Sequence, residues 1–271
     1  MLIDFHTHIF PDSIAERAIR SLKQGMINRH GFALPAYLDG TLDCLVSTMA
    51  AEDVDISVIM PIATRPGQAA GINRFALSAR SEKILAFGTV HPIQEDWEKT
   101  LEDVKAAGFP GIKLHPEFQR CYMDSPESVR VLKKAAELGL IVLIHAGEDV
   151  GVFPPVHSTP QRIRRALDAA PDVTLVAAHM GGYNMWEDAA RFLGDAPVFF
   201  DTAYVNTSLE KDVFRDLVSR FGSWRVLFGS DSPWALARTH TLSYISDCGL
   251  DQTAMDDITH KNAQRLLGID R

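Results

Sequence analysis

The stretch Leu2-Ile3-Asp4-Phe5-His6-Thr7-His8-Ile9-Phe10-Pro11 decides the fold. Its first part is a short apolar run closing on two histidines one residue apart. In a β-strand, residues two apart share a face, so His6 and His8 project side by side from the strand's C-terminal end. The turn that follows, His8-Ile9-Phe10-Pro11, holds no glycine. An open doubly wound sheet would carry a glycine-rich phosphate turn there. The alternative built from the same units is a closed barrel.

Outward from this stretch, short apolar runs alternate with amphipathic segments to the end of the chain. Strand candidates lie at 2–8, 56–62, 84–90, 111–115, 140–145, 173–179, 197–202 and 225–231. Runs such as Leu140-Ile141-Val142-Leu143-Ile144 are wholly apolar, as expected of parallel strands covered on both faces. Helical stripes connect them: Trp97, Leu101, Val104 and Gly108; Ile163, Ala166, Leu167 and Ala170; Val213, Phe214, Leu217, Val218 and Phe221. Ser125-Pro126 and Thr159-Pro160 each put a capping hydroxyl before a first-turn proline. Gly108, Gly139 and Gly222 are stop signals. Eight such units in 271 residues predict an α/β fold, a (β/α)8 TIM barrel, as one domain over 1–271. The long connection at 9–55 predicts helices at about 12–23 and 41–51, joined through the apolar loop His30–Tyr37. Such an insertion covers the barrel mouth as a lid, or serves as surface packing or a homodimer contact.

Composition excludes several classes. The net charge is −8, and no Lys/Arg run supplies the positive footprint that nucleic acid or an anionic membrane requires. The hydrophobic fraction of 46% is that of a globular protein with a substantial core. Cys44, Cys121 and Cys248 are scattered and odd in number, so reduced thiols are expected rather than a disulfide framework or a thiolate metal site. No apolar run approaches the ~20 residues of a membrane span, and the N-terminus lacks a signal-peptide pattern, which predicts a cytoplasmic protein.

A barrel's chemistry sits at the C-terminal ends of its strands. Those ends read His6 and His8, Ile144-His145-Ala146-Gly147, Ala178-His179-Met180-Gly181-Gly182, and Phe228-Gly229-Ser230-Asp231-Ser232-Pro233-Trp234. Four strands thereby bring four imidazoles and a carboxylate to one rim. Such donors without thiolate suit zinc, or else manganese or iron. Along Gly111-Ile112-Lys113-Leu114-His115-Pro116-Glu117, alternation turns Lys113 and His115 to the lumen, where Asp4 and Asp201 are also expected as ion-pair partners for Lys113. Glu117 follows as a substrate contact, a ligand or a solvated carboxylate. Arg65 and Arg120 lie on the same rim and are candidate clamps for a substrate carboxylate, or pair with surface acids. His91 ends the third strand at that level.

These motifs together resemble the amidohydrolase superfamily. Ile-Asp-x-His-x-His, Gly-Ile-Lys-Leu-His-Pro, His-x-Gly, Ala-His-Met-Gly-Gly and Phe-Gly-Ser-Asp-x-Pro-Trp are similar to its amidohydrolase 2 branch, which includes aminocarboxymuconate semialdehyde decarboxylase and hydrolases of small acids and lactones. The resemblance runs from Asp4 to Leu267. It implies His6, His8, His145 and Asp231 as ligands of one divalent metal, zinc foremost, with Asp231 and His179 catalytic. It also implies that His179 becomes a ligand if a second ion binds, with Lys113 a candidate carbamylated bridge. Two reactions on a small molecule follow: hydrolysis of an amide, lactone or similar bond with Asp231 as base and His179 polarising the carbonyl, or decarboxylation of a small acid. His115, Glu117 and Arg65 are the expected substrate contacts. A barrel that binds metal or metabolite without turnover is the non-catalytic rival.

Overall fold

The computed structural model describes residues 1–234 and 238–269. Its parallel strands are β1 (Ile3–Thr7), β2 (Ile56–Ile59), β3 (Ile84–Ala86), β4 (Gly88–Thr89), β5 (Gly111–Leu114), β6 (Ile141–Ile144), β7 (Leu175–Ala177), β8 (Phe199–Asp201) and β9 (Val226–Leu227). Each is paired in sequence order, β1-β2-β3 and then β4 through β9. β3 and β4 are one strand interrupted at Phe87, whose N–H donates to Ile59 O at 3.0 Å. The ring closes where Phe5 N donates to Phe228 O, Asp231 N to His6 O, and Thr7 bridges Ser232. This is the expected (β/α)8 barrel.

The alternation expected along β5 is borne out, and β6 follows the same rule. Ile112 and Leu114 of β5, and Val142 and Ile144 of β6, pack outward among the helices. Ile141 and Leu143 turn inward and join Ile3, Phe5, Ile56, Val58, Phe87, Val176 and Leu227 in the plug that fills the barrel. Gly111 has no room for a side chain: a Cβ there would meet Ile141 O at 2.3 Å and the Phe87 ring at 2.6 Å.

β1 departs from simple alternation. Its register with β2 runs Ile3↔Ile56, Asp4↔Ser57, Thr7↔Ile59, so three steps of β1 oppose two of β2. That bulge changes which residues face inward. Ile3 and Phe5 lie in the plug, yet His6 also points inward, at Asp201 and Lys113. Asp4, expected in the lumen, instead faces outward. It accepts from Ser230 N at 2.9 Å and Ser230 Oγ at 2.6 Å, with Arg238 Nη1 3.9 Å away.

The insertion contains α1 (Asp12–His30) and α2 (Leu42–Ala51). α1 is longer than its periodicity predicts and ends at Gly31, φ 79°, whose N–H returns to Ile27 O. The caps at Ser125 and Thr159 form as read, each hydroxyl accepting at 3.3 Å from the N–H three residues on. All three cysteines are free thiols. Among the described residues no helix is long and apolar enough to cross a membrane.

Candidate metal centre

The strand ends surround a cavity of about 1350 Å³ lined by His6, His8, Lys113, His115, His145, His179 and Asp231. Ile14, Ala18, Leu22 and Met26 of α1 form an apolar wall of it. Arg29, near the C-terminus of α1, ties that wall down by donating to Asp149 O, Val152 O and Glu148 Oε2.

Each imidazole's free nitrogen follows from what its other nitrogen touches. His6 Nδ1 lies 2.8 Å from Asp201 Oδ2, and His8 Nδ1 lies 2.7 Å from Met60 O. A carboxylate and a carbonyl only accept, so both Nδ1 atoms carry the proton and both Nε2 atoms present lone pairs. Those two lone-pair nitrogens are 3.1 Å apart. Asp231 Oδ1 is 3.1 Å from His8 Nε2 and 3.5 Å from His6 Nε2. Ligand bonds of about 2.1 Å put neighbouring donors roughly 3.0–3.4 Å apart around an octahedral or tetrahedral ion. The triangle therefore fits a divalent cation, and its histidines have the outward hydrogen bonds that orient metal ligands. Gly229 permits this approach of β1, since a Cβ there would meet His6 Cβ at 2.8 Å.

Electrostatics agree that the His6 imidazole is uncharged. Burial, assisted by the Lys113 charge, pushes His6 down to about 4 against Asp201 and Asp231, so its imidazole is neutral. Burial alone would raise Asp201, but the facing His6 and His179 hold it down to about 2. Burial would likewise raise Asp231, and His6 and His8 keep it well below the usual carboxylate range. Asp201 is the support under the site: its other oxygen accepts from His179 N at 2.8 Å and Ala203 N at 3.0 Å.

His145 lies beside this triangle, in a second group with His115 and Asp149. Its ring stacks on His115, centroids 4.2 Å apart, which holds it toward the β5 side of the mouth. The expected four-ligand set is thus split by an imidazole at the end of β5. His145 Nε2 is 3.2 Å from Glu148 O, and His179 Nδ1 is 2.7 Å from Ala203 O. The same reasoning puts the His179 proton on Nδ1, and its Nε2 faces His145 Nδ1 at 3.0 Å. Such a contact needs a proton or a cation between the nitrogens. His179 Nε2, the atom that would act on a carbonyl in the role the sequence predicts, faces His145 in this arrangement.

Lys113 is lumenal as alternation requires, but its close partner is His6 Nε2, 3.1 Å from Nζ, rather than Asp4 or Asp201. Burial lowers it to about 8, against the pull of Asp201 and Asp231. His115 lines the cavity, Nδ1 accepting from Phe118 N at 3.4 Å and Nε2 3.5 Å from Asp149 Oδ2. Glu117 lies apart from the main cavity. Its carboxylate is buried against His157 Nδ1 at 2.7 Å, His157 N at 2.7 Å and Ser158 Oγ at 3.1 Å, where it pins the loop after β6. Arg65 and Arg120 are exposed on the rim and both line the cavity, and His91 lines it from a buried position.

Comparison with known proteins places this arrangement. A family model described as Amidohydrolase matches residues 3–269. No curated protein matches the chain as a sequence relative. Among solved structures it is similar to a TIM-barrel protein of Bordetella bronchiseptica (18% identity, TM-score 0.76, covering 98% of each chain). It is similar to a 5-carboxyvanillate decarboxylase of Novosphingobium aromaticivorans, complexed with manganese and 4-hydroxy-3-methoxy-5-nitrobenzoic acid (15%, TM-score 0.75, covering 99% of this chain and 96% of that one). It also resembles a candidate 2-pyrone-4,6-dicarboxylic acid hydrolase of Pseudomonas putida (16%, TM-score 0.69, covering 100% and 98%).

Proposed function

The chain is an enzyme of the amidohydrolase family, and on that premise we propose that it is a metal-dependent hydrolase of an amide, lactone or similar bond in a small acid. The observation that carries the reading is the triangle of His6 Nε2, His8 Nε2 and Asp231 Oδ1, with both imidazoles pinned from behind. These three would hold zinc, or manganese, and His145 and His179 offer further ring nitrogens beside them. When bound, the ion supplies Lewis acidity toward a carbonyl and toward water.

The protein's own groups perform the remaining work. Asp231 stays ionised at neutral pH, so it accepts the proton of the attacking water and returns it to the leaving group. Asp201 keeps His6 in the tautomer whose lone pair faces the site. His179, its Nε2 beside His145 Nδ1, positions the substrate carbonyl for that attack. Arg65 and Arg120 bind the substrate's carboxylate at the rim. The apolar wall of α1 holds the rest of the molecule and excludes water.

Decarboxylation is the second reading, favoured by rim arginines facing an apolar chamber and by the likeness to the 5-carboxyvanillate decarboxylase. There the same ligands and Arg65 would hold the carboxylated substrate, and His179 would assist proton delivery to carbon. The test is elemental analysis after loading with zinc or manganese, followed by a panel of esters, lactones and carboxylated aromatics. Lactone or ester hydrolysis lost in His179→Ala supports the hydrolase; carbon dioxide release from 5-carboxyvanillate moves the assignment to decarboxylase. Full metal loading without turnover across the panel would leave a binding protein. His6→Ala should lose the metal while keeping the helical circular dichroism, and full occupancy in that variant would disprove the ligand set.

A further inference from the structure

Past the end of β8 the chain reads Asp201-Thr202-Ala203-Tyr204, and nothing so far gives Tyr204 a task. Its side chain lines the cavity and is only 5% exposed. Its hydroxyl is buried and has no hydrogen-bond partner among the described residues. A buried hydroxyl without a partner costs about 1–3 kcal/mol, so native proteins seldom keep one idle. Its neighbour shows that the fold can satisfy such a group. Tyr183, 5.5 Å away ring to ring, has its hydroxyl 3.1 Å from both Thr207 Oγ1 and Ser208 Oγ.

The backbone gives a second, independent observation. Tyr204 has φ 63° and ψ −1°, a left-handed conformation that costs a bulky residue about 1–3 kcal/mol. Among the described non-glycine residues the same region is also taken by Asp53, Arg120, His179, Met180, Asn184 and Asp231. Three of the seven, His179, Tyr204 and Asp231, lie just past the ends of β7, β8 and β9, and His179 and Asp231 line the same cavity as Tyr204.

We infer that Tyr204 is a catalytic residue whose phenol donates a hydrogen bond to an oxygen of the bound substrate. The inference rests on reading the cavity as the active site. The acceptor is a carboxylate, enolate or carbonyl oxygen on the aromatic side of the chamber, where Trp234, Leu34 and Val150 pack around the two tyrosines. Burial, with Tyr183 and the carboxylates of Asp231 and Asp149, raises the phenol and keeps it protonated, so it acts as donor throughout the neutral range. Those carboxylates also resist a free anion beside the phenol, which leaves the donor for an oxygen held by metal or arginine.

The test uses the metal-loaded protein and Tyr204→Phe. The binding probe is 4-hydroxy-3-methoxy-5-nitrobenzoate by calorimetry; the turnover probes are 5-carboxyvanillate and 2-pyrone-4,6-dicarboxylate. The variant should melt at the same temperature or higher, because no internal bond is lost. Probe affinity, and kcat/KM for whichever acid is turned over, should fall about 10- to 100-fold, the range for a hydrogen bond to a charged oxygen. Affinity and turnover within twofold of wild type would overturn the assignment while leaving the proposed function standing. A drop in melting temperature would also overturn it, by showing that the hydroxyl had an internal partner. If neither acid is turned over but probe binding still weakens, Tyr204 stands and the proposed function falls. Absence of probe binding to wild type counts against both.

Discussion

The two ends of the barrel lumen are built from the same strands and obey opposite rules. Toward the N-terminal ends, Ile3, Phe5, Val58, Phe87, Leu143, Val176 and Leu227 fill the ring with apolar side chains, and Phe5 meets Phe87 edge to face at 5.7 Å. Toward the C-terminal ends, the lumen holds His6, Lys113, His145, His179 and Asp201, all buried. The plug gains from every contact it makes and needs no directionality. The rim must satisfy each buried polar atom, and it stores backbone strain at His179, Tyr204 and Asp231. Stability is made at one end and chemistry at the other, within one ring of hydrogen bonds.

The sharpest way to separate the ends is to damage one and read the other. Phe87→Ala should cost about 3–5 kcal/mol of unfolding free energy in denaturant titration, the range for a large buried ring. Its metal content should be unchanged below the transition, and loss of metal in the folded variant would show that plug and rim are not separable. At the rim, Asp231→Asn should lower turnover about 10²- to 10⁴-fold, since an amide cannot take the water's proton. Chelator competition should still detect bound metal, and retained turnover would remove Asp231 as base. The smallest of the three effects is expected at Asp201→Asn. The new amide NH2 would face the His6 Nδ1 proton, donor against donor, and drive His6 to the other tautomer. Metal affinity should then fall about 10- to 100-fold, the usual effect of losing such an orienting partner. An unchanged affinity would mean that His6 does not depend on Asp201 for its lone pair.

Regular strands were legible from the chain alone. Alternation along β5 correctly puts Lys113 and His115 in the lumen, because nothing interrupts that strand. It fails at Asp4, where the β1 bulge shifts parity and hands the residue to Ser230 and Arg238. No local pattern announces a bulge. Glu117 carries the same lesson. Its partners His157 and Ser158 lie 40 and 41 positions downstream, so the chain around Glu117 holds no sign that its carboxylate is already occupied. Asp149 and Tyr204 reach the cavity from loops without a motif, and the clue to Tyr204, a hydroxyl with no partner, exists only once its surroundings do.

What residue order determines here is periodicity and residue type: apolar runs of strand length, caps and stops between them, and imidazole or carboxylate at their ends. Those are short-range properties, set by backbone sterics and by which side chains leave water. Which lone pair faces which was decided by closure of the ring. His6 acquires its tautomer from an aspartate 195 positions away, and Asp231 meets His8 only because the last strand pairs with the first. A proton's location on an imidazole is a contact property, and contacts at that separation exist only in the folded chain.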